Sequence, residues 1–175
     1  MQIMRMEYDD LALMSGKATL HVYGLGTFKV FSGRERYINN PNCTAIPDYG
    51  AIPVGQYYIV DRPPSSIGNT IKNFGGDLIN GTNHNEWLGL FNSETMSDHV
   101  FVNGVQRGGF RLHPLRPNGS GESWGCITFF SVSDFQTVRS RLMNTKQSRV
   151  PGSRNGLLAY GRVDVRGISR FEKCN

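Results

Sequence analysis

Residues 17–31, KATLHVYGLGTFKVF, decide the fold class of this sequence. Apolar and polar residues alternate on both sides of a central Gly-Leu-Gly, which is typical of a β-hairpin. Further along, the stretch IPVGQYYIV at 52–60 predicts a strand that follows a Pro-x-Gly turn and ends before Pro63 and Pro64. Together these stretches predict a β-rich domain.

The C-terminal half adds more short strands and one helix. Strands are predicted at 100–102, 109–113, 125–129 and 156–165. Ser133 and Gln136 are spaced as in a capping box, in which the serine caps the first turn and the glutamine reaches back. Apolar residues follow them at helical spacing, so we predict an amphipathic helix over about 134–144.

Residues 65–98 show little periodicity. Glycine and asparagine pairs separate isolated apolar residues there, so we interpret the segment as an irregular insertion with a short helix near 65–74. Such an insertion would cap the core or act as a lid over a site. With 166–175 as a tail, we expect a single domain over 1–175 with a mainly β, β-rich α+β fold.

Length and composition exclude several classes of protein. A chain of 175 residues can bury a core. Its 21 glycines and 8 prolines together exceed the roughly 12 % of residues that these two types usually make up. No apolar run approaches the roughly 18 residues of a membrane span. The net charge of +5 favours an anionic partner, but the basic residues are scattered, which argues against nucleic acid. Acidic residues at 7, 9 and 10 predict that no secretory signal is present.

The three cysteines, Cys43, Cys126 and Cys174, are widely separated. Their spacing matches no zinc-ligand pattern, so no metal site is predicted. An odd number leaves at least one free thiol. If Cys43 and Cys174 pair, that thiol is Cys126, and the sequence leaves this pairing open.

The stretch that carries chemistry is FRLHP at 110–114, a polar glycine-rich loop at 115–122, and SWGCI at 123–127. His113 ends one predicted strand and Cys126 opens the next. The two side chains can therefore face each other across a short connection.

An imidazole beside a thiol can take its proton or stabilise the thiolate, and this is the arrangement that a cysteine nucleophile needs. Gly125 allows the chain a tight approach, and the backbone N–H groups of Gly125 and Cys126 can bind an oxyanion. The alternative is that Cys126 is an ordinary buried cysteine, because cysteine is among the most buried residue types, and that His113 merely ends a strand.

The segment from His113 to Cys126, with its Ser-x-Gly-Cys ending, resembles the active-site signature of the L,D-transpeptidase (YkuD-type) domain. A closer likeness is to its divergent branch, the type VI secretion L,D-transpeptidase effectors, over about residues 6–165. The motifs that carry this likeness are Tyr8-Asp9, Ser15-Gly16-Lys17, Leu20, Gly26-Thr27-Phe28, Phe31-Ser32-Gly33, Asn39–Pro41, Ile52–Ile59 and Phe110–Pro114.

The chain departs from the wider family near the site. The spacing from His113 to Cys126 is a little shorter than in most members. Trp124 stands where many members have histidine, and Thr128 replaces the arginine that often follows the cysteine by two residues. Pro114 replaces the usual glycine after the histidine.

The resemblance implies a β-sandwich with one amphipathic helix after the cysteine, and an enzyme that acts on peptidoglycan. Cys126 would attack the carbonyl before the terminal D-alanine of a tetrapeptide stem, with His113 as general base and then acid. The thioester would pass to an amine, giving cross-linking or D-amino-acid exchange, or to water, giving L,D-carboxypeptidase activity. This chemistry requires no metal or organic cofactor.

The resemblance also implies roles for the neighbouring residues. Ser123 would hold the loop or the substrate, and Gly125 would contribute to the oxyanion site. Arg111 and Trp124 are candidates for substrate binding. Two other interpretations remain open, an outward-facing strand arginine at 111 and a core tryptophan at 124.

The implied partners are peptidoglycan peptide stems, a secretion-system component and a cognate immunity protein. The protein would be made in the cytoplasm and act as a toxin in the periplasm of competing bacteria. Two alternatives remain. A general cysteine peptidase is disfavoured because His113 precedes Cys126 in the chain, and a non-catalytic cell-wall-binding or interaction module would use the loop only as a surface.

Overall fold

The structure is a computed structural model that describes residues 1–63 and 84–175. In chain order the elements are β1 (Gln2–Glu7), α1 (Asp10–Ser15), β2 (Ala18–Val22), β3 (Gly26–Phe31), β4 (Gly55–Asp61), β5 (Leu88–Asn92), β6 (His99–Val102), β7 (Val105–Gly108), β8 (Arg111–Pro114), β9 (Ile127–Phe129), α2 (Val132–Met143), β10 (Ser148–Arg149), β11 (Leu158–Ala159) and β12 (Gly161–Arg166). Strands dominate the regular structure, which confirms the prediction of a mainly β, β-rich α+β fold.

Eight of the strands form one closed barrel, in the order β1-β12-β4-β5-β8-β9-β3-β2. Neighbouring strands run antiparallel, except that β1 pairs with β12 and β8 pairs with β9 in parallel. The expected sandwich would leave strand edges open. The β1–β12 pairing, with Gln2 opposite Gly161, instead joins the two ends of the sheet into a single closed wall.

The hairpin predicted from residues 17–31 is formed by β2 and β3. These strands pair antiparallel with Leu20 opposite Phe28, and a turn at 23–25 connects them. Alternate residues of β2 are buried, as the period of two in the sequence predicts. The strand predicted at 52–60 is also present as β4 and begins at Gly55.

Part of the predicted insertion is a strand of the barrel. The expectation of irregular structure over 65–98 is wrong for Leu88–Asn92, because β5 lies between β4 and β8. Gly89 interrupts the apolar pattern of this short strand, and it approaches β4 so closely that a Cβ there would lie 3.0 Å from a Val60 methyl group. The short helix predicted near 65–74 lies outside the described residues.

The barrel interior is one apolar cluster to which all eight barrel strands contribute. Its buried side chains include Met4, Leu20, Val30, Tyr57, Leu90, Leu112, Ile127 and Val163. The predicted amphipathic helix is present as α2, and its buried face, Phe135, Val138 and Leu142, joins the same cluster. Within residues 1–63 and 84–175, no helix is long and apolar enough to cross a membrane.

Helix α2 starts earlier than the sequence pattern predicts. Its N-cap is Ser131, whose hydroxyl accepts a hydrogen bond from the Asp134 backbone N–H at 3.1 Å. The assignment of Ser133 as the capping serine is therefore wrong. Ser131 caps equally well and follows β9 almost directly, so the helix begins at Val132.

The cysteine pairing that the sequence leaves open is formed. Cys43 and Cys174 form a disulfide across 131 positions of sequence, and Cys126 is the free, buried cysteine. The disulfide ties the 166–175 tail to the loop between β3 and β4. Phe171 in this tail packs against the core cluster.

Candidate active site

His113 lies on β8, and Cys126 directly precedes β9, the neighbouring strand of the barrel. Strands β8 and β9 run parallel, and their register places His113 opposite Thr128. The preceding pair, Leu112 and Ile127, belongs to the core. Because successive residues of a strand point to opposite faces, His113 and Thr128 face outward. Cys126 directly precedes β9, two positions before Thr128, so the two predicted residues come from neighbouring segments of the wall, His113 on β8 and Cys126 at the start of β9.

The contacts of His113 fix which ring nitrogen carries the proton. Nδ1 lies 2.9 Å from the Pro114 carbonyl oxygen, which can only accept, so Nδ1 carries the hydrogen of the neutral imidazole. Nε2 is then the basic nitrogen and accepts from the Thr128 hydroxyl at 3.3 Å. Trp87 stacks on the imidazole with 4.1 Å between the ring centroids. The ring is thus held with its basic nitrogen towards β9.

The Cys126 side chain is nearly inaccessible, with 7 % of the residue exposed. Burial raises the pKa of its thiol to about 11, although the backbone N–H and the charge of Arg111 oppose this rise. The negative charge of Asp98 adds to the rise. Sγ lies 4.0 Å from the carbonyl oxygen of Gly109. At neutral pH the group is therefore a thiol, and a thiolate must be formed by proton transfer.

Gly125 is required by its conformation and by its neighbours. Its φ is +94°, and a Cβ there would lie 2.7 Å from a guanidinium nitrogen of Arg107 and 2.9 Å from the Phe110 ring. Arg107 is itself buried and donates to the carbonyl oxygens of Thr44 and Gly50. Burial lowers the pKa of Arg107. The backbone before the nucleophile therefore passes directly over a buried cation.

Ser123 connects the nucleophile to the neighbouring strand. Its buried hydroxyl donates to the Cys126 carbonyl oxygen at 2.6 Å and accepts from the Gly33 backbone N–H at 3.2 Å. The single hydrogen of the hydroxyl is used in the first of these bonds. Ser123 thus holds the loop against the end of β3.

Arg111 already binds a carboxylate of the protein. Its Nη1 and Nη2 lie 2.8 Å and 3.0 Å from the two carboxylate oxygens of Asp98, and Nη1 also donates to the Phe110 carbonyl. This is the bidentate geometry in which arginine holds carboxylates best. Asp98 immediately precedes β6, so the ion pair ties the β6–β7 hairpin to β8.

Trp124 is 43 % exposed, so it is not a core residue. Its ring covers the guanidinium of Arg34, which lies 4.7 Å from the Trp124 ring centre and 3.9 Å from that of Tyr49. Nη1 of Arg34 donates to a carboxylate oxygen of Glu122 at 2.7 Å. Trp124 therefore faces a cation on the loop that follows β3.

Several residues of this site were not identified from the sequence. Thr128 lies on β9, directly after Ile127, and its register opposite His113 could have been expected from the predicted pairing of the two strands. Trp87, Asp98 and Arg107 come from other parts of the chain, and no local pattern marks them. In the described part of the chain, no three His, Cys, Asp or Glu side chains lie close enough together to hold a metal ion.

A closed β-barrel with an oriented imidazole on one strand, and a buried thiol at the residue that directly precedes the next, defines a domain with a candidate cysteine nucleophile. The family model of the Tlde1 domain matches residues 26–153, more than half of the chain and the part that contains both side chains. The chain therefore belongs to the Tlde1 domain family, a family of type VI secretion effectors. No curated protein matches the chain.

Proposed function

We propose that this effector is a cysteine L,D-transpeptidase and L,D-carboxypeptidase that acts on tetrapeptide stems of peptidoglycan. The observation that carries the proposal is an imidazole oriented towards β9, on the strand beside it, with a buried free thiol at the residue that directly precedes β9. Membership of a family of secreted effectors supports an enzyme that acts outside the producing cell.

The first step is attack by Cys126 on the carbonyl that precedes the terminal D-alanine. With a thiol pKa of about 11, the resting group is protonated, so the proton must leave during the attack. Nε2 of His113 is the base that receives it, because the Pro114 carbonyl keeps the hydrogen on Nδ1. For this transfer, Nε2 exchanges the Thr128 hydroxyl for the thiol.

The attack places a negative charge on the carbonyl oxygen of the substrate. Backbone N–H groups at Gly125 and Cys126 bind that oxyanion, and the fixed backbone around Gly125 gives them a set position. Ser123 keeps the Cys126 carbonyl turned away by its own hydrogen bond.

Collapse of the intermediate breaks the C–N bond, and His113 returns its proton to the amine of the departing D-alanine. The acyl group is left as a thioester on Sγ. A second amine takes it in cross-linking or in D-amino-acid exchange, and water takes it in hydrolysis.

Purified disaccharide-tetrapeptide muropeptides, with and without an added free D-amino acid, test the proposal. We expect mass spectrometry to show loss of D-alanine, exchange for the added amino acid, or cross-linked dimers. Cys126→Ala should abolish every product, and intact-protein mass should show an acyl adduct only when Cys126 is present.

The matched control for the base is a second histidine. His113→Gln should lower turnover by about a hundredfold or more, whereas His99→Gln, at an exposed position, should leave it unchanged. If the wild type forms no product, the enzyme assignment is wrong. If the wild type forms no product, and the wild type and Cys126→Ala both bind purified cell walls, the non-catalytic wall-binding module is favoured instead.

We further propose that the protein acts in the periplasm of target bacteria and that the producer carries an immunity protein. Membership of the type VI effector family supports delivery into other cells. Expression of the domain with a periplasmic leader in a recipient should be toxic, while expression without the leader should not. Toxicity of Cys126→Ala equal to that of the wild type would contradict this mode of action.

A further inference from the structure

A well-ordered arginine lies beside the loop that carries the candidate nucleophile. Strands β3 and β9 run antiparallel with Phe31 opposite Thr128. Gly33 follows the last residue of β3 by two positions and Cys126 directly precedes β9, so both lie just beyond the paired ends of these strands. The Gly33 N–H donates to Ser123, which holds the Cys126 carbonyl. The next residue in the chain is Arg34.

The guanidinium of Arg34 is oriented before any ligand arrives. It lies between the rings of Tyr49 and Trp124, and only 16 % of its side chain is exposed. A guanidinium has five N–H donors. Nη1 is bound to Glu122, whereas Nε is buried and has no hydrogen-bond partner in the described part of the chain. The guanidinium of Arg34 is therefore held in place and does not use all of its N–H donors.

The carboxylate that Arg34 holds is an exposed one. The side chain of Glu122 is 54 % exposed and lies at the end of the polar loop between β8 and β9. An exposed partner of this kind is screened by water and is held weakly. Another carboxylate that brings additional contacts can displace it.

The other cations near Cys126 are already engaged. Arg111 holds both oxygens of Asp98, and Arg107 is buried and binds two backbone carbonyls. Thr128, two positions after Cys126, carries no charge. Arg34 differs from Arg111 and Arg107, because its carboxylate partner, Glu122, is exposed to solvent.

We infer that Arg34 binds the terminal carboxylate of the substrate, in the place where the Glu122 carboxylate lies in the free protein. This inference rests on the proposed function, in which a single D-residue separates the attacked carbonyl from a free carboxylate. An anchor for that carboxylate must lie about one residue from the attacked carbonyl, and the guanidinium of Arg34 lies 4.7 Å from the ring centre of Trp124, two residues before Cys126. Trp124 and Tyr49 hold the anchor and limit its access to water.

The test compares a tetrapeptide stem that ends in a free carboxylate with the same stem ending in an amide. For the wild type we expect kcat/KM to be at least about tenfold higher on the carboxylate, because charge-assisted bidentate pairs are strong and specific. Arg34→Gln should remove this preference by lowering only the value for the carboxylate. Arg36→Gln, at an exposed position two residues away, should leave both values unchanged.

Glu122→Gln gives a second readout that does not depend on the stability of an arginine variant. Removing this charge frees Arg34, so KM for the carboxylate substrate should fall several-fold while KM for the amide stays constant. An unchanged KM would overturn the inference, as would an equal loss on both substrates in Arg34→Gln. Equal wild-type activity on both stems would overturn it while leaving the proposed function intact, whereas no activity on either would overturn the function itself.

Discussion

At the scale of single residues, the state of the candidate nucleophile is set by burial and by the charges of Arg111, Asp98 and Arg107, the last of which lowers the thiol pKa. Burial raises the pKa of the Cys126 thiol to about 11, the Arg111 charge lowers it, and the Asp98 charge raises it. Asp98 and Arg111 form an ion pair with each other. The Asp98 carboxylate therefore offsets much of the electrostatic stabilisation that Arg111 would give to a thiolate at Cys126.

Asp98→Asn should lower the pKa of Cys126. Without the carboxylate, the charges of Arg111 and Arg107 are no longer opposed by that of Asp98, so more thiolate is present at any pH below about 11. The measurement is the rate of iodoacetamide alkylation against pH, with the Cys43–Cys174 disulfide intact so that Cys126 is the cysteine that reacts. The profile should move to lower pH.

Glu94→Gln is the matched control, because it removes one exposed carboxylate and the Glu94 charge acts on the Tyr57 phenol. Its alkylation profile should overlay that of the wild type. A profile of Asp98→Asn that stays in place, or that moves to higher pH, would contradict the electrostatic account of the site.

At the scale of elements, the sequence pattern predicts those strands and helices that local interactions determine. The β2–β3 hairpin and helix α2 were predicted because their apolar residues recur at two and at 3.6 positions. The sequence does not predict strand β5, because Gly89 interrupts its apolar pattern and the strand is only five residues long. Whether these residues form a strand depends on their packing against β4. Cys126 and His113 are predicted together because a single loop separates them, whereas Arg34 follows β3 and Asp98 precedes the separate β6–β7 hairpin, so only the folded structure brings them to this loop and to β8.

The start of α2 gives a clean test of how the helix is capped. Ser131→Ala should lower the free energy of unfolding by about 1 kcal/mol, because the Asp134 N–H loses its partner. Ser133→Ala, at an exposed position inside the first turn, should change it by less than about 0.5 kcal/mol. Urea unfolding of both variants measures the difference. A larger effect at Ser133 would return the cap to the position predicted from the sequence.

At the scale of the whole molecule, one covalent bond connects distant parts of the chain to the surroundings of the site. The Cys43–Cys174 disulfide holds the loop whose Thr44 and Gly50 carbonyls bind Arg107. Arg107 in turn lies against Gly125. The C-terminal tail is thus linked through this loop to the backbone before the nucleophile.

Replacing both Cys43 and Cys174 by serine should lower the free energy of unfolding by about 2–5 kcal/mol, because the disulfide closes a loop of 131 positions and restricts the unfolded chain. Thermal unfolding with and without reductant measures the effect. The double variant should be insensitive to reductant, and Cys126→Ser should keep the sensitivity of the wild type. Equal melting of oxidised and reduced wild type would show that the disulfide adds no stability.

The pairing of β1 with β12 also governs how the chain can fold. Gln2 meets Gly161 and Glu7 meets Arg166, so the contact that completes the barrel joins residues near opposite ends of the sequence. Such non-local pairing loses loop entropy before it gains contacts, which slows folding to roughly milliseconds to seconds. During synthesis, β1 and β4 wait with unpaired edges until β12 leaves the ribosome, and those exposed edges are the places where a nascent chain can associate with another.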